Sequence, residues 1–211
     1  MLAVSEIFKS IQGESSYTGL VCSFVRLAGC NLRCAWCDTA YAWEGGNSMT
    51  MDAVICRVAD HNTSVVEITG GEPLLQPETP QLCRHLLDTN HTVLVETNGT
   101  LDIDMLPQGA VRIMDIKCPS SGMADRFHAP NAGKLTSRDE VRFVIAGRED
   151  FIWALDVMKV HGLDRRCTVA MSPVWNKLPL DKLAEWILSA DARVRMGVPL
   201  HKVVWGERRG V

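Results

Sequence analysis

Short runs of apolar, β-branched residues alternate with helical patterns along most of the chain, and this alternation restricts the possible fold more than any other feature. Runs such as SVVEITGG (64–71) and TVLVETNG (92–99) are almost continuously apolar, which is typical of strands covered on both faces. Strands that alternate with helices favour right-handed βαβ crossovers and a parallel sheet. We therefore predict an α/β fold.

The number of repeating units indicates the type of α/β fold. About six strands and four helices are fewer than the eight units of a closed (β/α)8 barrel. We therefore predict an incomplete, open (β/α) barrel that occupies residues 1–211 as a single domain. The predicted strands are 20–29, 64–71, 92–99, 111–119, 141–147, 167–173 and 194–199. The predicted helices are 48–62, 77–90, 148–162 and 180–191.

Polar segments follow several of the predicted strands. They read TGGEP, ETNG, DIKCPSS and MSP. Because the carboxyl ends of parallel strands form the ligand-binding edge of α/β sheets, we expect the functional site there.

Charge and hydropathy exclude several classes of partner. The formal net charge of −3 gives no electrostatic argument for a nucleic-acid or anionic-membrane partner. No apolar run approaches the ~18–20 residues that cross a bilayer. The opening segment MLAVSEIFKSIQGE has no basic region followed by an apolar one, so we expect no signal peptide and a cytoplasmic location. The eight cysteines would then be reduced thiols.

Three cysteines are concentrated in GCNLRCAWCDTAYAW, at spacing C-x3-C-x2-C. A structural zinc site would need a fourth Cys or His, and no downstream pair has the usual spacing. An iron–sulfur cluster bound by three thiolates would leave one iron free for another ligand. Incidental loop cysteines are the third possibility. The three candidate ligands are Cys30, Cys34 and Cys37.

This spacing, together with Thr69-Gly70-Gly71-Glu72-Pro73 about 40 residues later, resembles the radical S-adenosylmethionine (SAM) superfamily. The resemblance implies a radical SAM fold and a 4Fe–4S cluster whose open iron chelates SAM. Electron transfer to SAM then yields a 5′-deoxyadenosyl radical that abstracts hydrogen from substrate. The protein supplies position and a dry site.

Further features resemble one branch, the 7-carboxy-7-deazaguanine synthase family. They are the IQGE segment (11–14), Arg26, the Asp38-Thr39 pair and the ending HKVVWGERRGV. The resemblance implies a carbon–nitrogen lyase of queuosine and 7-deazapurine biosynthesis. It converts 6-carboxy-5,6,7,8-tetrahydropterin to 7-carboxy-7-deazaguanine by radical ring contraction with loss of ammonia. It also implies Mg2+, an electron donor such as flavodoxin, and a homodimer.

The family's functional residues transfer to this chain by position. Thr39 would bind Mg2+, and Arg26 would pair with the substrate carboxylate, for which its planar fork is suited. Cosubstrate contacts would come from Trp36, Cys37, Asp38, Gly70, Gly71, Glu72, Asp115, Lys117 and Ser120. Substrate contacts would come from Ile11, Gln12, Gly13, Glu14, Arg26, Thr69, Met171, Ser172, Pro173, His201 and Val211.

Simpler interpretations stand beside these. Arg26 could form only a buried ion pair, and Thr39 could only cap a helical turn. The family usually has QGEG where this chain has QGES, so Ser15 would be strained if that position needs a positive φ. The rival functions are an activating enzyme for a glycyl-radical protein, and a non-enzymatic iron–sulfur or zinc module.

Overall fold

The computed structural model describes residues 1–211 and consists of one nine-stranded sheet with helices packed against it. The strands are β1 (Leu2–Ile11), β2 (Val21–Leu27), β3 (Asn47–Met49), β4 (Val65–Gly70), β5 (Thr92–Thr97), β6 (Val111–Asp115), β7 (Glu140–Ile145), β8 (Thr168–Pro173) and β9 (Arg195–Met196). The helices are α1 (Met51–Asp60), α2 (Thr79–Asp88), α3 (Arg148–His161), α4 (Leu180–Ser189) and α5 (Leu200–Trp205).

The strand order β3-β1-β2-β4-β5-β6-β7-β8-β9 is linear, so the barrel is open, as predicted. Strands β2 and β4 to β9 run parallel, and these seven strands correspond to the seven segments predicted as strands. The sequence prediction missed β1 and β3, which pair antiparallel at one edge, and the short helix α5. No helix is long and apolar enough to cross a membrane.

The two faces of the sheet differ in chemistry. Alternate residues of the strands point outward and, with helices such as α2, form the main apolar core. The inward-facing residues form a smaller cluster at the amino ends of the strands, which includes Phe24, Leu94 and Ile113. Further along the same strands the inward-facing positions become charged, as at Glu96 and Arg142. The inner face therefore changes from an apolar floor to a polar cavity.

The glycine turn after β4 lies against the end of β2 because Leu27 pairs with Gly70 in the sheet register. A Cβ on Gly70 would lie 2.0 Å from the Leu27 carbonyl oxygen, and its φ of +144° is rarely adopted by other residues. A Cβ on Gly71 would lie 2.1 Å from the Gly29 carbonyl oxygen. These two positions require glycine.

We predict that Gly70→Ala lowers the free energy of unfolding by at least about 2 kcal/mol, because the new methyl group meets backbone rather than a movable side chain. Denaturant unfolding measures the change. Gly133→Ala is the control, since a Cβ added there would have no atom within 4 Å and its φ is not positive. A Gly70→Ala protein as stable as wild type would contradict the close approach.

Candidate functional site

A cavity of about 220 Å³ lies at the carboxyl ends of the parallel strands, where the sequence predicted a site. Its wall includes these predicted residues: Ile11, Gln12, Gly13, Glu14, Arg26, Cys30, Cys34, Trp36, Cys37, Asp38, Thr39, Thr69, Gly70, Gly71, Asp115, Lys117, Pro173, His201 and Val211. Residues from all parts of the chain thus meet at one place.

The three predicted thiols line this cavity together, on the loop after β2. Burial raises the pKa of Cys30, and it raises that of Cys34 to about 11. These thiols would need a bound metal to lose their protons, so cluster assembly would release protons. Nowhere in the chain do three His, Cys, Asp or Glu side chains converge on a single-ion site.

The glycine turn is attached directly to this thiol loop. The Gly71 N–H donates to the Leu27 carbonyl over 3.1 Å, and the Glu72 N–H donates to the Gly29 carbonyl over 2.7 Å. Gly29 immediately precedes Cys30, so the turn and the first thiol hold each other in place. Backbone without side chains thereby forms the cavity wall next to the cysteines.

Glu72 differs from its predicted role as a cosubstrate contact. It is fully buried behind the cavity wall and accepts hydrogen bonds from the Leu74 N–H, the Thr97 hydroxyl and the Asn98 N–H. Burial raises its pKa to about 7, and these hydrogen bonds limit the rise. Glu72 therefore connects the glycine turn to the end of β5.

A buried ion-pair network crosses the cavity floor. Arg142 on β7 lies 2.6 Å from a Glu96 oxygen and 3.0 Å from a Glu14 oxygen. The Thr69 hydroxyl donates to the other Glu96 oxygen over 2.8 Å. Burial raises the pKa of Glu96, but Arg142, the Thr69 hydrogen bond and the nearby Lys117 and Arg26 together outweigh burial and leave that pKa below its usual range. The network joins the IQGE segment to β4, β5 and β7.

A second ion pair lies beside the thiols. The Lys117 ammonium is 3.0 Å from an Asp115 oxygen and 5.6 Å from the centre of the Trp36 ring. Burial lowers the pKa of Lys117, but Asp115, Cys34 and Glu96 together outweigh burial and raise that pKa. The other Asp115 oxygen is buried and has no hydrogen-bond partner. It remains available to a donor in the cavity.

The two interpretations of Arg26 are compatible in this structure. Its Nε–H donates to Glu6 over 2.8 Å, which is the ion pair that the simpler interpretation expected. The structure gives its two Nη groups no hydrogen-bond partner, and the side chain lines the cavity. The paired Glu6 also accepts from the Tyr41 hydroxyl. Glu6 thus orients Arg26 and leaves the fork free for a carboxylate.

In this structure Thr39 does not cap the helical turn that follows it, and Ser15 is not strained. Thr39 precedes the 3-10 turn at 40–42, but its side chain makes no capping hydrogen bond, and it lines the cavity. Ser15 is not among the residues with positive φ, so serine is unstrained there. Its N–H donates instead to the Gln12 side chain.

Both ends of the chain contribute to the cavity. The His201 ring packs so closely on Gly13 that a Cβ there would lie 2.4 Å from its Nδ1. The Lys202 ammonium is 2.8 Å from an Asp38 oxygen. Burial raises the pKa of Asp38, but Lys202, together with Arg26 and His201, outweighs burial and lowers that pKa. Helix α5 is therefore attached to both the IQGE segment and the thiol loop.

Three further predicted residues also lie behind the wall. The Ser120 hydroxyl binds Asp150 and accepts from the Trp36 indole, so it supports the Trp36 ring from outside the cavity. Met171 is fully buried in the core. Ser172 faces Gly197, at a position where a Cβ would lie 2.2 Å from the serine oxygen. Of the predicted Met171-Ser172-Pro173 segment, only Pro173 lines the cavity.

Several cavity residues were not predicted from the sequence. They are Phe8, Phe24, Glu67, Glu96, Asn98, Arg142, Val144, Val174, Trp175 and Lys202 among others. A charge inside an otherwise apolar strand was the available signal, since Glu67, Glu96 and Arg142 each interrupt such a run. Burying a charge is costly unless it is paired, so each interruption indicates a partner or a ligand.

Comparison with known proteins agrees with this geometry. The sequence profile of the radical SAM superfamily matches residues 25–120, which include the thiol loop and the glycine turn. The crystal structure of QueE from Escherichia coli superposes with a TM-score of 0.78 at 20% identity, covering 95% of this chain and 94% of that one. The fold and the thiol loop thus define a radical SAM protein.

Full-length relatives specify the branch. A 7-carboxy-7-deazaguanine synthase of Koribacter versatilis is 40% identical and covers 100% of both chains. That of Chlorobaculum tepidum is 44% identical over 100% of this chain and 97% of its own. The chain belongs to the 7-carboxy-7-deazaguanine synthase family.

We predict that Lys202→Met loosens α5, because Asp38 loses its only ion-pair partner. Loss of about 1 kcal/mol would accelerate amide hydrogen exchange roughly fivefold across residues 200–206. Lys177→Met is the matched control, since Lys177 is exposed and forms no ion pair. Equal exchange in both variants would show that the Asp38–Lys202 pair does not hold the helix.

Proposed function

We propose that this chain converts 6-carboxy-5,6,7,8-tetrahydropterin to 7-carboxy-7-deazaguanine with loss of ammonia. The observation that carries the proposal is one cavity in which three thiols and a side-chain-free glycine turn face a free arginine fork. Family membership over the full chain length supports it. The rival activating enzyme for a glycyl-radical protein is not favoured by these relatives.

Cys30, Cys34 and Cys37 would hold a 4Fe–4S cluster, which when bound supplies the electron that cleaves SAM. Gly70 and Gly71 line the cavity without side chains, and the methionyl part of SAM would lie against their backbone. The unpartnered Asp115 oxygen and the ring of Trp36 would orient it. These residues position reactants and exclude water, which is the protein's part in such chemistry.

At the other side of the cavity, Arg26 would bind the substrate carboxylate through its Nη groups. Ile11, Gln12, Gly13, Glu14 and Thr69 would surround the ring, with His201 and Val211 closing the far side. Thr39 would contribute one oxygen to a Mg2+ ion, which prefers an oxygen-only octahedron. Substrate oxygens and water would complete the coordination.

The proposed function also implies a domain organisation, an oligomeric state, a location and an electron donor. The chain would work as a single domain over residues 1–211, as a homodimer in the cytoplasm. It would receive electrons from a donor such as flavodoxin, and its product would enter queuosine or other 7-deazapurine synthesis.

The proposal predicts a product and a cluster. Anaerobically reconstituted protein should bind about one 4Fe–4S cluster per chain. With SAM, dithionite and the carboxytetrahydropterin, mass spectrometry should detect 7-carboxy-7-deazaguanine. Cys34→Ala should abolish SAM cleavage, and Cys56→Ala, at an exposed thiol outside the cavity, should not. Stoichiometric zinc with no visible absorption would overturn the proposal.

Arg26→Ala should weaken the apparent substrate affinity at least ~30-fold, because a desolvated carboxylate would lose its charged partner. Arg84→Ala, at an exposed position on α2, is the control. Glu6→Gln separates the two interpretations of Arg26. If Arg26 only neutralised Glu6, both Arg26→Ala and Glu6→Gln would retain wild-type affinity.

A further inference from the structure

Among the side-chain carboxyl groups of the cavity wall, that of Glu67 alone has no basic partner within ion-pair distance. It lies in the middle of β4, is 3% exposed and lines the cavity. Its only hydrogen bond comes from the Gln12 Nε2 group over 2.8 Å. The other side-chain carboxyls in the cavity wall each lie within 3.0 Å of a basic side chain; they are Glu14, Asp38, Glu96 and Asp115.

The surroundings of Glu67 favour its neutral form. Glu96 faces it from β5, Arg142 from β7, and Arg26 and Cys22 from β2. Burial, followed by repulsion from Glu96, raises the pKa of Glu67 to about 8, against smaller opposing effects of Gln12 and the two arginines. Arg142 is already occupied by two other carboxylates. At neutral pH Glu67 therefore carries a proton.

Glu67 lies on β4 at a distance from the thiols. It precedes Thr69 by two residues on the same face of β4, and a strand rises roughly 3.3 Å per residue. Glu67 thus lies roughly 13 Å further into the barrel than Gly71. Phe24 is its register partner on β2, and the Phe24 ring stacks on that of Phe8 at 4.9 Å. Both rings line the cavity. A flat apolar surface therefore adjoins a neutral acid.

We propose that Glu67, as a neutral carboxylic acid held by Gln12, recognises the pyrimidinone edge of the pterin ring. Its O–H donates to the ring carbonyl, and its second oxygen accepts from the adjacent ring N–H. This inference rests on the proposed function, since it assumes a pterin substrate. The pyrimidinone edge lies opposite the carboxyl-bearing carbon of the bicycle. Binding it at the floor directs the reacting carbon and its carboxylate toward the thiols and Arg26.

Two substitutions separate this role from a structural one. The amide of Glu67→Gln offers the same donor–acceptor pair as a carboxylic acid, whereas Glu67→Leu offers neither. Calorimetry on the full-length reconstituted protein, with 6-carboxypterin as probe, should give Glu67→Gln an affinity close to wild type. Glu67→Leu should bind roughly 10- to 100-fold more weakly, because the ring edge is left unpaired.

Two controls and a pH series accompany the measurement. SAM affinity should be the same in all variants, because Glu67 lies at the opposite end of the cavity. Glu140→Gln changes an equally buried strand carboxyl that does not line the cavity, and should bind the probe like wild type. Between about pH 7 and 9 the wild type should lose affinity relative to Glu67→Gln, because the neutral acid binds and is ionised as pH rises. Ionisation of the probe itself affects both proteins equally.

Each binding result either supports or overturns the role of Glu67 as a neutral acid. Wild-type affinity in Glu67→Leu, or equal losses in Glu67→Gln and Glu67→Leu, would overturn the neutral-acid role while leaving the proposed function standing. If Glu67→Leu fails to fold, the comparison of Glu67→Gln with wild type across pH still decides, because parallel profiles would overturn the inference. If wild-type protein does not bind the pterin at all, the proposed function fails, and this inference fails with it.

Discussion

The site depends on how the chain compensates charge on the inner face of a parallel sheet. Each ion removed from water costs several kcal/mol unless it is well paired. Arg142 meets this requirement by binding Glu14 and Glu96 at once, and it thereby fastens the IQGE segment to the strands that follow. Because the two Nη groups of Arg142 bind Glu14 and Glu96, Glu67 is left with Gln12 as its only hydrogen-bond partner. The same constraint that assembles the cavity therefore creates a neutral acid within it.

A second constraint is steric and acts at the carboxyl ends of the strands. The sheet register places Gly70 beside Leu27, and the backbone hydrogen bonds of Gly71 and Glu72 fix the thiol loop at its first residues. Glu72 extends this support to β5 through Thr97 and Asn98. The acidic residue of the GGEP sequence thus acts on the backbone of the turn rather than on the cavity. The glycine turn and the thiol loop therefore hold each other in position.

The sequence predicted the parallel strands and the thiol loop because both have local signals. Apolar runs mark the strands, and close cysteine spacing marks the loop. Strand β1 was missed because LAVSEIFKSI mixes polar and apolar residues, as a strand at the antiparallel edge of the sheet can. Pairings such as Arg142 with Glu14 join residues far apart in the chain, and no local pattern encodes them. The position of Ser120 and Ser172 behind the cavity wall was not foreseen for a related reason, since motif position does not show which face of a segment reaches the cavity.

Residues near the two ends of the chain complete the wall of the cavity that the parallel strands form. The His201 ring packs on Gly13, and the N–H of Leu200 donates to the Gly13 carbonyl. Gly13 of the IQGE segment therefore contacts the first turn of α5. Lys202 then reaches across to Asp38, one residue from the last thiol and one from Thr39. Order in α5 is therefore coupled to the loop that would hold the cluster and the magnesium ion. Neither contact involves a strand residue, so helix α5 forms this side of the cavity through loop residues alone.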